Sequence, residues 1–381
     1  MNILFVTGHP AQVHNFRNIR AELIRKGHQV YWLTTPKDIA TNLLDVYGIP
    51  YEVLHKPHKN IISQALTLIR NVLREIRYLR RNKIEIVITR TDPYTAIAAY
   101  LCRIPNIMLQ DTEHAAVSQL QGPFAKYGTS YLEPDCFAVH VREDEMRWPG
   151  NIELFYLHPN RYTAKPVWNL LNIKRGTPFA IVRFVRWDAF HDTNLIGGFT
   201  LDQKRELIYR LQKHMRVFIS SEETLPSDLE KYRIQIPIER MHDVQAAATL
   251  FVGESATMAS ESVCLGTPAI YIDEIGRGYT DEEARAGLLW MYRPVPDRTA
   301  LKEGEPHWIS GGVRECLDKA EELAGPKFDQ EAYAKRHKTW LDSKIDCTSF
   351  MTWFIEHYPK SSEETRIANE SEDAEFWKKF K

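Results

Sequence analysis

Two successive series of short apolar runs, separated by stretches of helical period, restrict this chain to a parallel α/β architecture. In the first series the runs are Ile3–Thr7, Gln29–Thr34, Tyr51–Leu54, Ile84–Thr89, Asn106–Gln110 and Cys136–His140. Helical patterns at Asn15–Lys26, Ile61–Arg81 and Tyr94–Cys102 lie between several of them. Strands that are apolar on both faces belong to a parallel sheet covered on both sides. The second series runs Phe179–Arg183, Val217–Ser220, Leu250–Val252 and Ala269–Ile272, with helices predicted at Leu201–His214, Asp243–Ala248 and Met258–Cys264. Helices near Gly312–Leu323, Gln330–Leu341 and Asp346–His357 follow.

This spacing predicts two doubly wound, Rossmann-like domains, as the length of 381 residues also suggests. The first covers 1–160 and the second 177–345. The segment HPNRYTAKPVWNLLNIKRG, with two prolines and no clean period, makes 161–176 the linker. A last helix at 346–358 precedes a polar, charged tail, 359–381, which composition assigns to disorder.

Charge excludes some functions. Lys and Arg total 49 against 50 Asp and Glu, a net charge of −1, so nothing global points to nucleic acid. The five cysteines are widely spaced with no Cys-x-x-Cys, which predicts reduced thiols in a cytoplasmic protein and no zinc site. The N-terminal NILFVT enters a strand directly and is unlike a signal peptide. No stretch approaches the ~20 apolar residues that span a bilayer.

The segment FVGESATMASESVCLGTPAIYID, Phe251 to Asp273, carries the clearest chemistry. It reads as strand, Gly253-started turn, helix and strand. A helix opening on Ser255, Ala256, Thr257 and Met258 presents amide N–H groups to an anion. Glu254 and Glu261 flank and follow that start, and Glu261 suits acceptance from two ribose hydroxyls. The plainer reading is a small-residue helix packed on a sheet.

Other candidates sit at strand ends. Gly8-His9-Pro10 follows the first strand, with Asn15 as a candidate helix cap, and His9 or His14 has the chemistry of a base near neutral pH. Arg90-Thr91-Asp92 and Asp111-Thr112-Glu113-His114 follow the fourth and fifth strands. Their carboxylates suit proton transfer, or else cap helices. Arg183 and Arg186 leave a strand of the second domain and suit phosphate, or pair with Asp188 or Asp192. His242, placed just before a helix, is a base contact or a cap. Ile61–Arg81 aligns Arg70, Arg74, Arg77 and Arg81 on one face, fitting an anionic membrane surface or simply water.

Five segments together resemble an uncharacterised bacterial and archaeal family with the glycosyltransferase-B (GT-B) fold: TGHPAQVH (from Thr7), DTEHA (from Asp111), YLHPN (from Tyr156), RFVRWD (from Arg183) and GESATMASE (from Gly253). The resemblance runs from Met1 to about Pro359. More distantly, the chain is similar to the non-hydrolysing UDP-N-acetylglucosamine 2-epimerases and to the N-acetylglucosaminyltransferase of peptidoglycan synthesis. In the epimerases a Ser-Gly-Gly turn binds diphosphate, and a Glu five residues before the Gly of a Leu-Gly pair binds ribose. Glu261 stands five before Gly266, while Ser255-Ala256-Thr257 replaces Ser-Gly-Gly. Asp92 and Asp111 (or Glu113) fall where the epimerases carry acids. Their His-Arg-x-Glu-Asn segment is absent, which argues against epimerase chemistry.

The resemblance implies two Rossmann-like domains facing a central cleft, with donor on the second, acceptor on the first and the last helix crossing back. The expected function is a GT-B glycosyltransferase using a nucleotide-diphospho-sugar, UDP-linked, in surface polysaccharide or glycolipid synthesis. The base is sought among His9, His14, Asp111 and Glu113. Arg183, Arg186, His242 and Gly253 to Met258 are expected at the donor, with Glu261 on its ribose. No metal or other cofactor is expected, since Asp-x-Asp is absent. Expected partners are the donor, a glycan or lipid-linked acceptor and, through Ile61–Arg81, the inner face of the membrane. The alternatives are a sugar-nucleotide 2-epimerase and a non-catalytic nucleotide-sugar binder.

Overall fold

The computed structural model describes residues 1–35, 38–53, 61–90, 92–110, 124–137, 142–185, 198–221, 224–273, 276–294 and 309–381. Its contacts divide the chain into two units, Met1–Arg161 with Lys344–Lys381, and Tyr162–Ser343.

The first unit holds a seven-stranded, all-parallel sheet in the order β3-β2-β1-β4-β5-β6-β7. Its strands are β1 (Asn2–Thr7), β2 (Gln29–Thr34), β3 (Glu52–Val53), β4 (Ile86–Thr89), β5 (Asn106–Leu109), β6 (Ser130–Pro134) and β7 (Met146–Trp148). IVIT and NIML are buried at every position, as continuous apolar strands under helices on both faces must be. The strand expected at 136–140 is not where the ladder forms. Cys136 lies in the turn after β6 and Phe137 follows it, residues 138–141 fall outside the described residues, and pairing is made by 130–134 and 146–148.

The second unit holds a five-stranded parallel sheet, β12-β11-β10-β8-β9. Its strands are β8 (Phe179–Arg183), β9 (Arg216–Ser220), β10 (Leu250–Gly253), β11 (Ala269–Ile272) and β12 (Leu289–Tyr292). Val182, Val252 and Ile270 lie in one core with Leu207 and Leu211 of helix Leu201–Gln212 and Leu317 of helix Val313–Ala324.

Both sheets have a point where the chain, having built one side, returns to start the other. In the first unit it lies between β1 and β4, in the second between β8 and β10. At such points the loops diverge and leave a crevice beyond the carboxyl ends of the strands.

The end of the chain departs from expectation. Residues 359–381 form two helices, Lys360–Glu370 and Ala374–Lys378, within the first unit. Helix Cys347–Glu356, capped by Asp346, belongs to the same unit. Trp377 and Phe380 are buried and their rings lie 5.2 and 5.3 Å from that of Phe350. Trp377 and Phe380, with the half-buried Phe376, supply the apolar surface that the polar composition conceals.

Candidate functional site

The switch point of the second unit lies where Arg183 ends β8 and Gly253 ends β10, two residues in register. Gly253 is required by a close approach: a Cβ there would meet the Arg183 carbonyl oxygen at 2.6 Å. Glu254 follows, its amide bonded to that carbonyl at 3.0 Å. Its carboxylate accepts from the amides of Val185 and Phe199, both at 2.8 Å, and lies 3.7 Å from the buried ammonium of Lys204. Glu254, expected to touch ligand, therefore joins the described residues on either side of 186–197. Lys204, which the sequence reading missed, supplies the countercharge.

Helix Ala256–Cys264 begins one residue further on. Ser255 is its N-cap, and its hydroxyl accepts from the Met258 amide at 3.3 Å. Of the amides from Ser255 to Met258 expected at the diphosphate, the cap engages the last. Ala256 and Thr257 open the helix, where amides lack intrahelical acceptors. Glu261 lies three and four residues after Met258 and Thr257, on the same face and about 6 Å along the axis from Thr257.

Glu261 is 5 % exposed, and its Oε1 lies 3.0 Å from Nε2 of His242, also 5 % exposed. His242 is the second residue of helix Met241–Ala247, whose N-cap position is Arg240, contrary to its expected place before a helix. The next residue, Asp243, accepts the Tyr162 hydroxyl, the Lys165 amide at 2.9 Å and the Arg240 guanidinium. Burial opposes ionisation of Asp243, yet these donors hold its carboxyl below the usual range.

Polar contacts lock helix Ala256–Cys264 on two flanks. The Gln245 amide donates to the Met258 carbonyl at 2.9 Å and to Ser262 Oγ at 3.2 Å. On the other flank, Ser260 Oγ donates to the fully buried Glu283 of helix Gly278–Arg285 at 2.6 Å. Neither Gln245 nor Glu283 carries a local motif that would single it out. Arg183 extends to Ser220 Oγ on β9, 3.2 Å away. Arg186, with Asp188 and Asp192, lies outside the described residues.

In the first unit His9 is exposed and is the N-cap of helix Pro10–Arg25, its Nδ1 accepting from the Ala11 amide at 3.3 Å. Asn15, expected to cap, is buried inside that helix. His14 is half-buried, with Nδ1 3.3 Å from the Tyr47 hydroxyl and its ring 5.3 Å from that of Tyr156. Asp92 caps helix Pro93–Cys102, accepting from the Thr95 amide at 2.8 Å. Asp111 and Glu113 lie outside the described residues.

No protein-family model matches the chain. No curated protein matches it in sequence either. Solved structures do match in fold. The UDP-GlcNAc 2-epimerase of Methanocaldococcus jannaschii, in complex with UDP-GlcNAc and UDP, aligns at a TM-score of 0.57 and 10% identity, over 89% of this chain and 99% of the other. Acinetobacter baumannii MurG aligns at 0.55 and 14% identity, over 93% and 99%. The glycosyltransferase VinC, in complex with dTDP, aligns at 0.58 and 10% identity, over 96% and 100%. The chain has the glycosyltransferase-B fold. In this GT-B chain the capped helix and Glu261 occupy the second unit, at the switch point of its sheet.

Proposed function

We propose that the second unit binds a nucleoside-diphosphate sugar, UDP-linked, and that the chain is a glycosyltransferase of surface polysaccharide or glycolipid synthesis. The observation that carries this reading is the placement of Glu261 one helical turn beyond the amides that open helix Ala256–Cys264, at the switch point between β8 and β10. The helix start suits the diphosphate and the carboxylate suits the ribose diol. The M. jannaschii epimerase holds UDP-GlcNAc and UDP, and VinC holds dTDP, which supports the ligand class. The transfer needs a base to deprotonate the acceptor, and we place it among His9, His14, Asp111 and Glu113. The reading calls for no metal ion.

The acceptor would be a glycan or a lipid-linked sugar. Helix Ile61–Arg81 supports contact with an anionic lipid surface, because Ile69 and Leu73 are 61% and 60% exposed beside Arg70, Arg74 and Arg77. No helix among the described residues is long and apolar enough to cross a membrane.

The ligand class is tested by thermal shift against UDP, GDP, CDP and TDP sugars, since a ligand of the native state raises the melting temperature. The reaction is tested with UDP-N-acetylglucosamine in D₂O. Deuterium at C2 without acceptor would replace the transferase reading with an epimerase one. Transfer to an added acceptor without exchange supports the transferase.

A further inference from the structure

We propose that His242 is a positioning residue for Glu261, holding that carboxylate in the orientation that accepts from the ribose diol of a nucleoside diphosphate. The inference rests on the assignment of Glu261 to the ribose and extends it to a residue on a different helix.

A glutamate on a helix has three side-chain torsions, and accepting from two neighbouring hydroxyls tolerates little angular error. Glu261 is restrained by an imidazole: Nε2 of His242 lies 3.0 Å from Oε1, and both side chains are more than nine-tenths buried. A carboxylate only accepts, so Nε2 carries the proton.

His242 is itself braced. The ring of Tyr162 meets it edge-on, 6.2 Å between centroids at 83°, and the Tyr162 hydroxyl donates to Asp243. Asp243 is in turn tied to the Lys165 amide and to Arg240. Gln245, one turn on from His242, bonds the Met258 carbonyl, which fixes the two helices in register. The restraint thus runs from Asp243 through Tyr162 and His242 to Glu261.

The test is calorimetric titration of the full chain with UDP and with 2′,3′-dideoxy-UDP, which lacks the diol. The variants are His242→Leu, which keeps bulk and removes the donor, and His242→Gln, whose amide nitrogen reaches about as far as Nε2. Glu261→Ala is the reference. His242→Leu is expected to weaken UDP about tenfold, the scale of one hydrogen bond to a charged group, and to leave dideoxy-UDP unchanged. His242→Gln is expected to restore most of the UDP affinity.

Equal weakening of both ligands by His242→Leu would reduce His242 to a packing role and overturn the proposal. So would unchanged affinities while Glu261→Ala still abolishes the preference for UDP. The ribose assignment fails by a different signature: either the native chain does not bind UDP, or Glu261→Ala leaves the preference intact. The positioning role falls with it.

Discussion

Arg161 Nε lies 2.7 Å from Oδ2 of Asp346, so the residue at which the chain leaves the first unit is bonded to one just after its return. The guanidinium also reaches Glu22 Oε1 at 2.5 Å and Ser349 Oγ at 2.6 Å. Asp346 is buried and also caps helix Cys347–Glu356. Arg161→Met leaves that carboxylate with only its capping donors. The expected loss is about 3 kcal/mol in urea unfolding, because an uncompensated buried charge is expensive. Adding Asp346→Asn to Arg161→Met should recover part of it. A single mutant as stable as the native chain would contradict the role given to this pair.

Trp377 tests the order of the last helices. It is buried, with its ring 5.2 Å from Phe350 and 4.8 Å from Phe376. Trp377→Ala should lower stability by about 3 kcal/mol, the usual scale for a large aromatic core residue. Thermal unfolding by circular dichroism measures it. An unchanged melting temperature would return residues 359–381 to the disorder that composition suggested.

Two histidines are expected to contribute to the acid limb of stability. Burial pushes the His158 imidazole below its ordinary value, with Asp346 opposing and Arg161 adding to the shift. Burial likewise lowers His337, against the carbonyls of Cys264 and Val263. Each binds a proton more readily unfolded than folded, so stability rises with pH while the unfolded residues titrate. The contribution is fully present above the ordinary value of about 6.5 and is lost as pH falls below it. His158→Asn keeps an acceptor for the Asn160 amide, now bonded to Nδ1 at 3.2 Å. In denaturant titrations that variant should lose less stability between pH 7 and pH 5.5 than the native chain. An identical slope would exclude His158 from the effect.

The sequence made β10, helix Ala256–Cys264 and β11 legible because apolar runs buried on both faces and a serine cap are local signals. The start of helix Pro10–Arg25 carried a local signal too, Pro10 at N1 with Gln12 at N3, which outranks Asn15 as a boundary. Composition hides the final helices for a different reason. KSSEETRIANESEDAEFWKKFK is polar on average, but a helix needs only one buried stripe, which Phe376, Trp377 and Phe380 help to supply. The bond between His242 and Glu261 joins positions nineteen apart on different helices, and no spacing rule in one sequence pairs them.

Glu254 gives a coupling that can be measured. Glu254→Ala removes the acceptor of the Val185 and Phe199 amides and the carboxylate that lies 3.7 Å from the buried Lys204 ammonium. The expected cost is about 3 kcal/mol. Lys204→Met alone should cost less, because the two amides still hold the carboxylate. A double-mutant cycle should return a coupling of about 1 kcal/mol. Strict additivity would mean that Lys204 does not compensate Glu254.

Helix Ile61–Arg81 yields the last prediction. Arg70, Arg74 and Arg77 are exposed and have no acidic partner among the described residues, whereas Arg81 pairs with Glu52 at 3.2 Å. Near an anionic lipid surface each arginine contributes about 1 kcal/mol, an attraction that salt screens. The native chain should therefore sediment with phosphatidylglycerol vesicles at low salt and not with phosphatidylcholine vesicles. Replacing Arg70, Arg74 and Arg77 by serine should weaken that partition by about a hundredfold, while Arg81→Ser should matter less because its charge is already paired. Ile69→Ser with Leu73→Ser should weaken it at high salt as well, since buried apolar area is not screened. Partition unaffected by the triple change, or equal on neutral vesicles, would assign this face to water.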